Sequence, residues 1–360
     1  MPSAAGPGSV LHVLPHPGGG GETYVDALSQ MDGWRFERAY LAPGPDPAGS
    51  RRSILRKAFE VVRAGQTYDV VHVHGEVASA LCLPALATRP SVVTLHGIHL
   101  LRRLRKPASV AAKANLRLVT RAAARTICVS QAEHAEIRSF LGAGSLRRAV
   151  VIPNGVDPAP VTPADRAAAR AEFGVGRSTL VGAWIGSLDP HKDPLTPLAA
   201  VREMARAGNA VALLLAGDGQ LRAEVERQAE GTAVHVLGFR SDVRRVLLAA
   251  DFLVVSSVRE GLSFAVLEAM SLGVVPVVSD APGNPEAVGE AGVVVPVGDV
   301  PAFAEAFARL AGDEAARLAL GERARARVAR HFRADEMRRR TSEVYDEVLR
   351  ERSSRRRRRA

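Results

Sequence analysis

Short, continuously apolar runs alternate along this chain with longer segments of helical period. The runs lie at 9–15 (SVLHVLP), 36–42 (FERAYLA), 69–75 (DVVHVHG), 91–97 (SVVTLHG), 125–130 (RTICVS) and 149–155 (AVVIPNG), then at 179–186 (TLVGAWIG), 211–217 (VALLLAG), 233–238 (AVHVLG), 251–257 (DFLVVSS), 274–279 (VVPVVS) and 291–296 (AGVVVP). Several are apolar at every position rather than at every second one, the mark of strands covered on both faces. Helical patterns between them predict parallel sheets with helices on either side. The runs fall into two sets, which predicts two doubly wound domains. A proline-rich connector, PNGVDPAPVTPAD at 153–165, parts them. The expected division is 1–160 and 161–334, with a last helix at about 335–350 returning to the first domain. The final stretch, 351–360 (ERSSRRRRRA), predicts a basic tail disordered by its own repulsion.

In an open parallel sheet, ligands bind beyond the carboxyl ends of the strands. Gly97, Gly186, Gly217, Gly238 and Glu260 stand at such ends. Two sheets facing each other would bring these loops to one cleft. The densest candidate chemistry is SSVREGLSFAVLEAMSLGVVPVVSD, 256–280. Glu260 precedes Gly261 at a turn, and Glu268 sits in the helix pattern that follows. Carboxylates beside a helix N-terminus suit a ligand that carries both hydroxyls and a diphosphate. Taken alone, the pair also fits a helix cap and a solvated helix residue. Glu268, however, is flanked by Leu267, Ala269 and Met270, and a carboxylate among apolar neighbours needs a hydrogen-bond partner.

Lys192, in GSLDPHKDP, precedes a helix start at which Asp193 and Pro194 read as N-cap and N1. The loop HPGGGG at 16–21 turns the first strand into a helix, where backbone can come close to a phosphate or sugar. Its spacing does not match the dinucleotide fingerprint. His72, His74, His96 and His99 cluster in the first half. Strand histidines are more often core or rim residues than ligands, and there is no Asp-x-Asp pair to clamp a metal diphosphate. No metal site is expected.

These residues carry a resemblance. IPNGVD, GSLDPHKD, LLLAGDGQLRAEVE, VHVLGFRSDVRRVLLAADFLVVSS and EGLSFAVLEAMSLGVVPVVSD, in this order, resemble the retaining GT-B glycosyltransferases of glycosyltransferase family 4. The likeness is close over 149–300 and looser before. It implies a GT-B fold of two Rossmann-like domains and a nucleotide diphosphate sugar, of UDP or GDP type, as donor substrate, with no cofactor. It implies Lys192 on the diphosphate, Glu260 and His96 on the transferred sugar, and Glu268 on the ribose. The amides of Gly261, Leu262 and Ser263 would hold sugar and diphosphate, and Gly19 and Gly20 would form the N-terminal glycine turn. Gly217 and Arg240 complete the donor-binding candidates, with the base read largely by backbone from Gly238 to Arg240. Ser187 stands where the family usually has arginine, which removes one expected diphosphate cation.

Charge adds one feature. The first 150 residues carry 19 Lys/Arg against 10 Asp/Glu, and no acidic residue occurs from Gly97 to Ala132. Arg102, Arg103, Arg105, Lys106, Lys113, Arg117, Arg121 and Arg125 interleave there with leucine and valine. This fits a helix with a basic outer face. It also fits, over 100–125 and with Arg355 to Arg359, an anionic membrane surface. Aromatic residues make up 4% of the chain, too few for the stacking that nucleic-acid binding uses. Two cysteines, Cys82 and Cys128, exclude a disulfide framework. No apolar run reaches the roughly 18 residues of a membrane span, and no basic region precedes the first apolar stretch as in a signal peptide. The expected setting is the cytoplasm, peripheral to its membrane face. The predicted activity is transfer of a hexose-type sugar, with retention and without metal, to a hydroxyl of a glycan, lipid-linked sugar or small molecule. The alternatives are a GT-B-like epimerase or inverting transferase and, in another class, a basic lipid-surface or nucleic-acid binding protein with a weak site.

Overall fold

The computed structural model describes residues 8–44, 51–98, 106–158, 160–176 and 178–359, leaving aside the side chains of 51–53, 355–356 and 359. His99, Arg102, Arg103 and Arg105 lie outside the described residues, as do the side chains of 355, 356 and 359 in the terminal arginine run. The chain forms two compact units. One is Met1–Asn154 with Ala334–Ala360; the other is Gly155–Arg333.

In the first unit, β1 (Gly8–Leu14), β2 (Trp34–Tyr40), β3 (Val70–His74), β4 (Ser91–Thr94), β5 (Arg125–Cys128) and β6 (Ala149–Val151) form one parallel sheet in the order β2-β1-β3-β4-β5-β6. The first strand therefore sits inside the sheet, and successive connections leave it in opposite directions at the β1/β3 boundary. Val10, Val13, Val71, Val73, Val92 and Val93 are fully buried, which is why these runs read as continuous apolar sequence. The helix Ala334–Arg359 belongs to this unit. Tyr345 is 0% exposed, Trp34 donates to the Ser342 hydroxyl at 2.9 Å, and Arg340 donates to the Val151 carbonyl at 2.6 Å. The disordered tail expected from 351 is instead a continuation of this helix through Arg359. Charge composition overlooks the anchored helix that this segment extends. Arg125 holds both Glu347 and Glu351, so the last turns propagate from a fixed nucleus rather than starting one.

The second unit holds β7 (Leu180–Ile185), β8 (Val211–Ala216), β9 (Val234–Gly238), β10 (Phe252–Val255), β11 (Val275–Ser279) and β12 (Val293–Val295), parallel in the order β12-β11-β10-β7-β8-β9. Read from β9, this is the doubly wound order with its direction reversing between β7 and β10. Its core packs Trp184, Phe252, Phe303 and Phe307, all 0–1% exposed; each such side chain contributes about 1.5–3 kcal/mol on burial. The unit opens on the helix Pro163–Glu172, where Thr162 and Asp165 form a reciprocal capping box before Pro163. It closes where Val156 donates to the Phe332 carbonyl at 2.9 Å. The boundary thus falls at Asn154, before three of the connector's four prolines.

Candidate active site

The reversal point between β7 and β10 is where an open sheet offers a crevice, and the Gly186–Lys192 and Ser256–Glu260 segments leave the sheet there. A hydrogen-bonded serine and a backbone amide join them. Ser256, 0% exposed, receives the Trp184 indole N–H at 3.1 Å and donates toward the carbonyls of Lys192 (3.1 Å) and Asp193 (2.5 Å). Val258 N–H donates to the His191 carbonyl at 2.8 Å. The two loops are therefore locked together before any ligand arrives. On this base Lys192 Nζ meets Glu260 Oε1 at 2.6 Å, and the Ser257 hydroxyl donates to the same oxygen at 2.7 Å. The Glu260 side chain is 8% exposed and that of Lys192 25%, so the pair lies in a partly desolvated place where charge matters more than at the surface.

Lys192 is positioned by a tight loop. Asp189 accepts from the amides of His191 (3.0 Å) and Lys192 (3.2 Å), from the Ser187 hydroxyl (2.5 Å) and from the His191 ring. Burial pushes the Asp189 carboxyl up, but the hydrogen bonds from His191 and Ser187 outweigh it and hold it down at about 2. Ser187 is thus spent on shaping the loop. Asp193 takes a left-handed φ of 48° and still receives Thr196 N–H at 3.3 Å, while the regular helix begins at Leu195, one residue later than the sequence predicts.

The helix Phe264–Ser271 starts next to Glu260. Its N-cap, Ser263, makes no side-chain cap, so the first turn keeps its donors for something else. Glu268 lies one turn in. No described residue gives its carboxyl group a hydrogen bond or ion pair, and burial pushes that carboxyl up to about 7. The start of this helix is seated by Gly283: a Cβ there would stand 1.8 Å from the Gly261 carbonyl oxygen. Gly217 plays the same part against Gly186, whose carbonyl oxygen would lie 1.8 Å from a Cβ at 217. Gly283→Ala should therefore cost about 1–3 kcal/mol or more, since backbone must give way, read as a lower urea midpoint, with nucleotide binding weakened in the folded fraction. Arg240 is not brought to this place. It follows β9 at the sheet edge, held by Asp242 at 2.5 Å and Glu172 at 3.3 Å, with the Phe173 ring 5.4 Å away.

The first unit has its own cluster at the β1/β3 reversal. His12 pairs in register with His72, and His74 with Thr94, so alternation puts these side chains on one face. His12 Nδ1 lies 2.8 Å from His74 Nε2, and His74 Nδ1 lies 3.0 Å from His96 Nε2. His72 is engaged by the Tyr345 hydroxyl at 2.6 Å and the Thr94 hydroxyl at 2.7 Å. His12, His72 and His74 are 0–1% exposed. Burial drives His12 down to about 3 and the other two well below the usual histidine range. Their nitrogens lie within 4.8 Å of one another, close enough for a metal triad, but here His12 bonds to His74 while His72 bonds to Tyr345 and Thr94. His96 is half-exposed with φ 58°, a conformation few non-glycine residues adopt. Behind it the buried Glu133 carboxylate accepts from Gly97 N–H and, at 2.7 Å, from Val129 N–H; burial raises it to about 7 despite those bonds. Gly18 and Gly19 both have positive φ (85° and 77°) and are exposed, and Gly20 begins the helix Gly20–Leu28. Glu22 ties this turn down by accepting from Gly18 N–H and the Tyr40 hydroxyl, each at 2.5 Å.

Comparison with known proteins places both units. The family model described as Glycosyltransferase Family 4 matches residues 11–160, and that described as Glycosyl transferases group 1 matches 180–313. The D-inositol 3-phosphate glycosyltransferase of Kribbella flavida is 30% identical over 301 residues, spanning 76% of this chain and 69% of that protein. The chain belongs to the glycosyltransferase family 4 group. It is an enzyme of the GT-B fold. Another relative is the UDP-Gal:alpha-D-GlcNAc-diphosphoundecaprenol alpha-1,3-galactosyltransferase of Escherichia coli, 28% identical over 264 residues, 69% of this chain and 68% of that one. Among solved structures, Anabaena HepE in complex with UDP and glucose superposes with a TM-score of 0.79 at 23% identity, covering 94% of this chain and 99% of that one.

Within this glycosyltransferase the sequence had marked Lys192, Glu260, Glu268 and the Gly261–Ser263 turn, which the structure gathers around one crevice. It had not marked Ser256, Ser257, Asp189 or Glu133. For Glu133 there was a signal: Ser130-Gln131-Ala132-Glu133 has the capping-box spacing, and Ser130 does cap the helix Gln131–Leu141. The serines at 256 and 257 had none, because a serine after a buried strand reads equally well as a loop residue.

Proposed function

We propose that this glycosyltransferase moves a hexose from a uridine or guanosine diphosphate sugar to a hydroxyl of a glycan or lipid-linked acceptor, with retention and without a metal. The observation that carries it is the β7/β10 crevice: a lysine–carboxylate pair, an uncapped helix start, and a half-buried carboxyl one turn beyond without a partner. Lys192 and the first-turn amides face the diphosphate and neutralise the charge that grows on it as the sugar departs. Glu260 now shares its oxygen between Lys192 and Ser257; when phosphate takes the lysine, the carboxylate is released to sugar hydroxyls. His96 serves the same sugar. Glu268 accepts from the two ribose hydroxyls, the partners its surroundings lack. UDP in the names of the Escherichia coli and Anabaena proteins supports uridine as the first base to test.

A lipid-linked acceptor is supported by the Escherichia coli relative and by the helix Ala108–Ala122. Val110 and Leu118 are 58% and 51% exposed and share a face with exposed Arg117 and Arg121. An apolar and basic face of this kind suits an anionic bilayer, and no helix among the described residues is long and apolar enough to cross one. Nucleotide binding tests the reading. Because the Glu268 carboxyl is held near 7, closing two hydroxyls onto its ionised form should expel part of a proton at neutral pH. Calorimetry in buffers of different ionisation enthalpy should show UDP or GDP binding with proton release in the parent and without it in Glu268→Gln. Absence of binding by any nucleoside diphosphate would refute the proposal.

A further inference from the structure

The terminal helix packs on the first sheet from the carboxyl toward the amino ends of its strands. Near its start Arg340 donates to the Val151 carbonyl at the end of β6, and further on Glu347 and Glu351 take Arg125, the first residue of β5. Beyond that point, away from His74 and His96, lies a cavity of about 830 Å³. Arg125, Arg147 and Arg148 line it from the strand side, and Arg350, Ser354 and Arg358 from the helix, beside the two glutamates. Five arginines against two carboxylates give a net charge of +3. Both carboxylates are engaged: Glu347 accepts from two Arg125 nitrogens at 2.5 and 3.2 Å, and Glu351 accepts from one of them. Arg125, with its side chain 11% exposed, is thus the anchor of the helix. The other four guanidinium groups have no bonded counter-ion among the described residues. Arg148 places one N–H on the Arg121 carbonyl at 3.3 Å, Arg350 acts on Glu347 through charge alone, and Arg147 and Arg358 make no hydrogen bond or ion pair with a described residue.

An ordinary solvated face accounts for single exposed arginines, and the helix dipole favours cations in a last turn. Neither accounts for Arg147 and Arg148, which a distant part of the chain brings to the same opening. Like charges gathered without bonded counter-ions repel, and an anion that meets several of them at once relieves the repulsion. The guanidinium fork matches phosphate oxygens two at a time. The volume falls within the range of ligand sites, roughly 300–1,000 Å³, and is larger than one phosphate fills. We propose that this opening is a binding site for a ligand with two or more phosphate groups, held through Arg147, Arg148, Arg350 and Arg358. A soluble polyphosphate and the adjoining headgroups of an anionic bilayer offer the same chemistry. The site lies at the far end of the first sheet from His96 and does not rest on the sugar-transfer reading.

Two probes test it on the full chain at low salt: inorganic tripolyphosphate, titrated by calorimetry, and vesicles of phosphatidylglycerol in phosphatidylcholine, followed by co-sedimentation. Arg147→Ala/Arg350→Ala removes two of the four cations. Arg206→Ala/Arg309→Ala removes two exposed arginines of the second unit and matches it in net charge. The parent should bind tripolyphosphate, the first variant about ten-fold more weakly, and the control within about two-fold of the parent. Any binding at the β7/β10 crevice is common to all three proteins and cancels in the comparison. The urea midpoint of Arg147→Ala/Arg350→Ala should stay at or above the parent's, since two mutually repelling charges are gone. Binding of vesicles but not of tripolyphosphate, with the same dependence on the two arginines, assigns the phosphates to lipid and supports the site. Binding of neither probe by the parent, equal loss in the control, or a lower midpoint in the first variant overturns the proposal.

Discussion

Replacing Lys192 by alanine should lower kcat for sugar transfer by about 10²–10³-fold, the scale on which one preorganised charge at a developing anion acts. It should also destabilise the second unit. Glu260, with its side chain 8% exposed, would lose the lysine that faces its charge while keeping the Ser257 hydroxyl, and stranding one member of a desolvated pair costs more than the pair contributes. The loss should come to about 1–3 kcal/mol, reduced from the fully buried case because Lys192 is partly solvated. The two effects separate in the double variant Lys192→Met/Glu260→Gln. A neutral amide accepting from Ser257 should restore the urea midpoint while transfer stays abolished. If the double variant recovers activity with stability, the pair is architectural and the diphosphate is held elsewhere.

Acidification should unfold the first unit well before the second. His12, His72 and His74 are neutral in the folded protein, with their titration pushed far below 6.5 by burial. In the unfolded chain they take up protons as pH falls through about 6.5. Their contribution is complete above that value and is lost on descent, by about 1 kcal/mol per pH unit for each ring. Glu133 works against them. Its folded value is raised to about 7, so its contribution is complete below the ordinary carboxyl range and is lost as pH rises toward 7. Three rings against one carboxyl leave a net fall of about 2 kcal/mol per pH unit between 6 and 5. In the second unit Glu268, also raised to about 7, favours the folded state over the same interval, and Asp189 withdraws its support only as pH falls from about 4 toward about 2. Melting followed at pH 7, 6 and 5 should split into two transitions, the earlier one reported by Trp34, which packs on Tyr345 at 5.0 Å. A single transition unmoved down to pH 5 would mean that water reaches the rings.

The fold was legible because its strands are buried on both faces. VALLLA is apolar throughout and VVHVH is apolar but for its two histidines, and each became an interior strand. The same uniformity hid the histidines' role: alternation says that His72 and His74 share a face, but not that His12, sixty residues earlier, stands opposite in register. Lys192 and Glu260 could be named from their motifs, whereas their pairing depends on two loops that only the sheet order brings together. Arg240 looked available in sequence and is held by Glu172 and Asp242, partners supplied by a distant helix and by its own turn. The terminal arginines read as repelling one another, but that count ignores the helix they continue.

Because the chain leaves the first unit at Asn154 and re-enters it at Ala334, the intervening portion is a graft whose two ends meet at Val156 and Phe332. It can be excised as a self-contained piece with little entropic penalty for joining its ends. Its host cannot be obtained by simple truncation. A fragment ending anywhere before 334 forfeits Tyr345, exposing His72 and the Trp34 ring to solvent, and should be recovered only when the final helix is supplied in trans or spliced directly after 154.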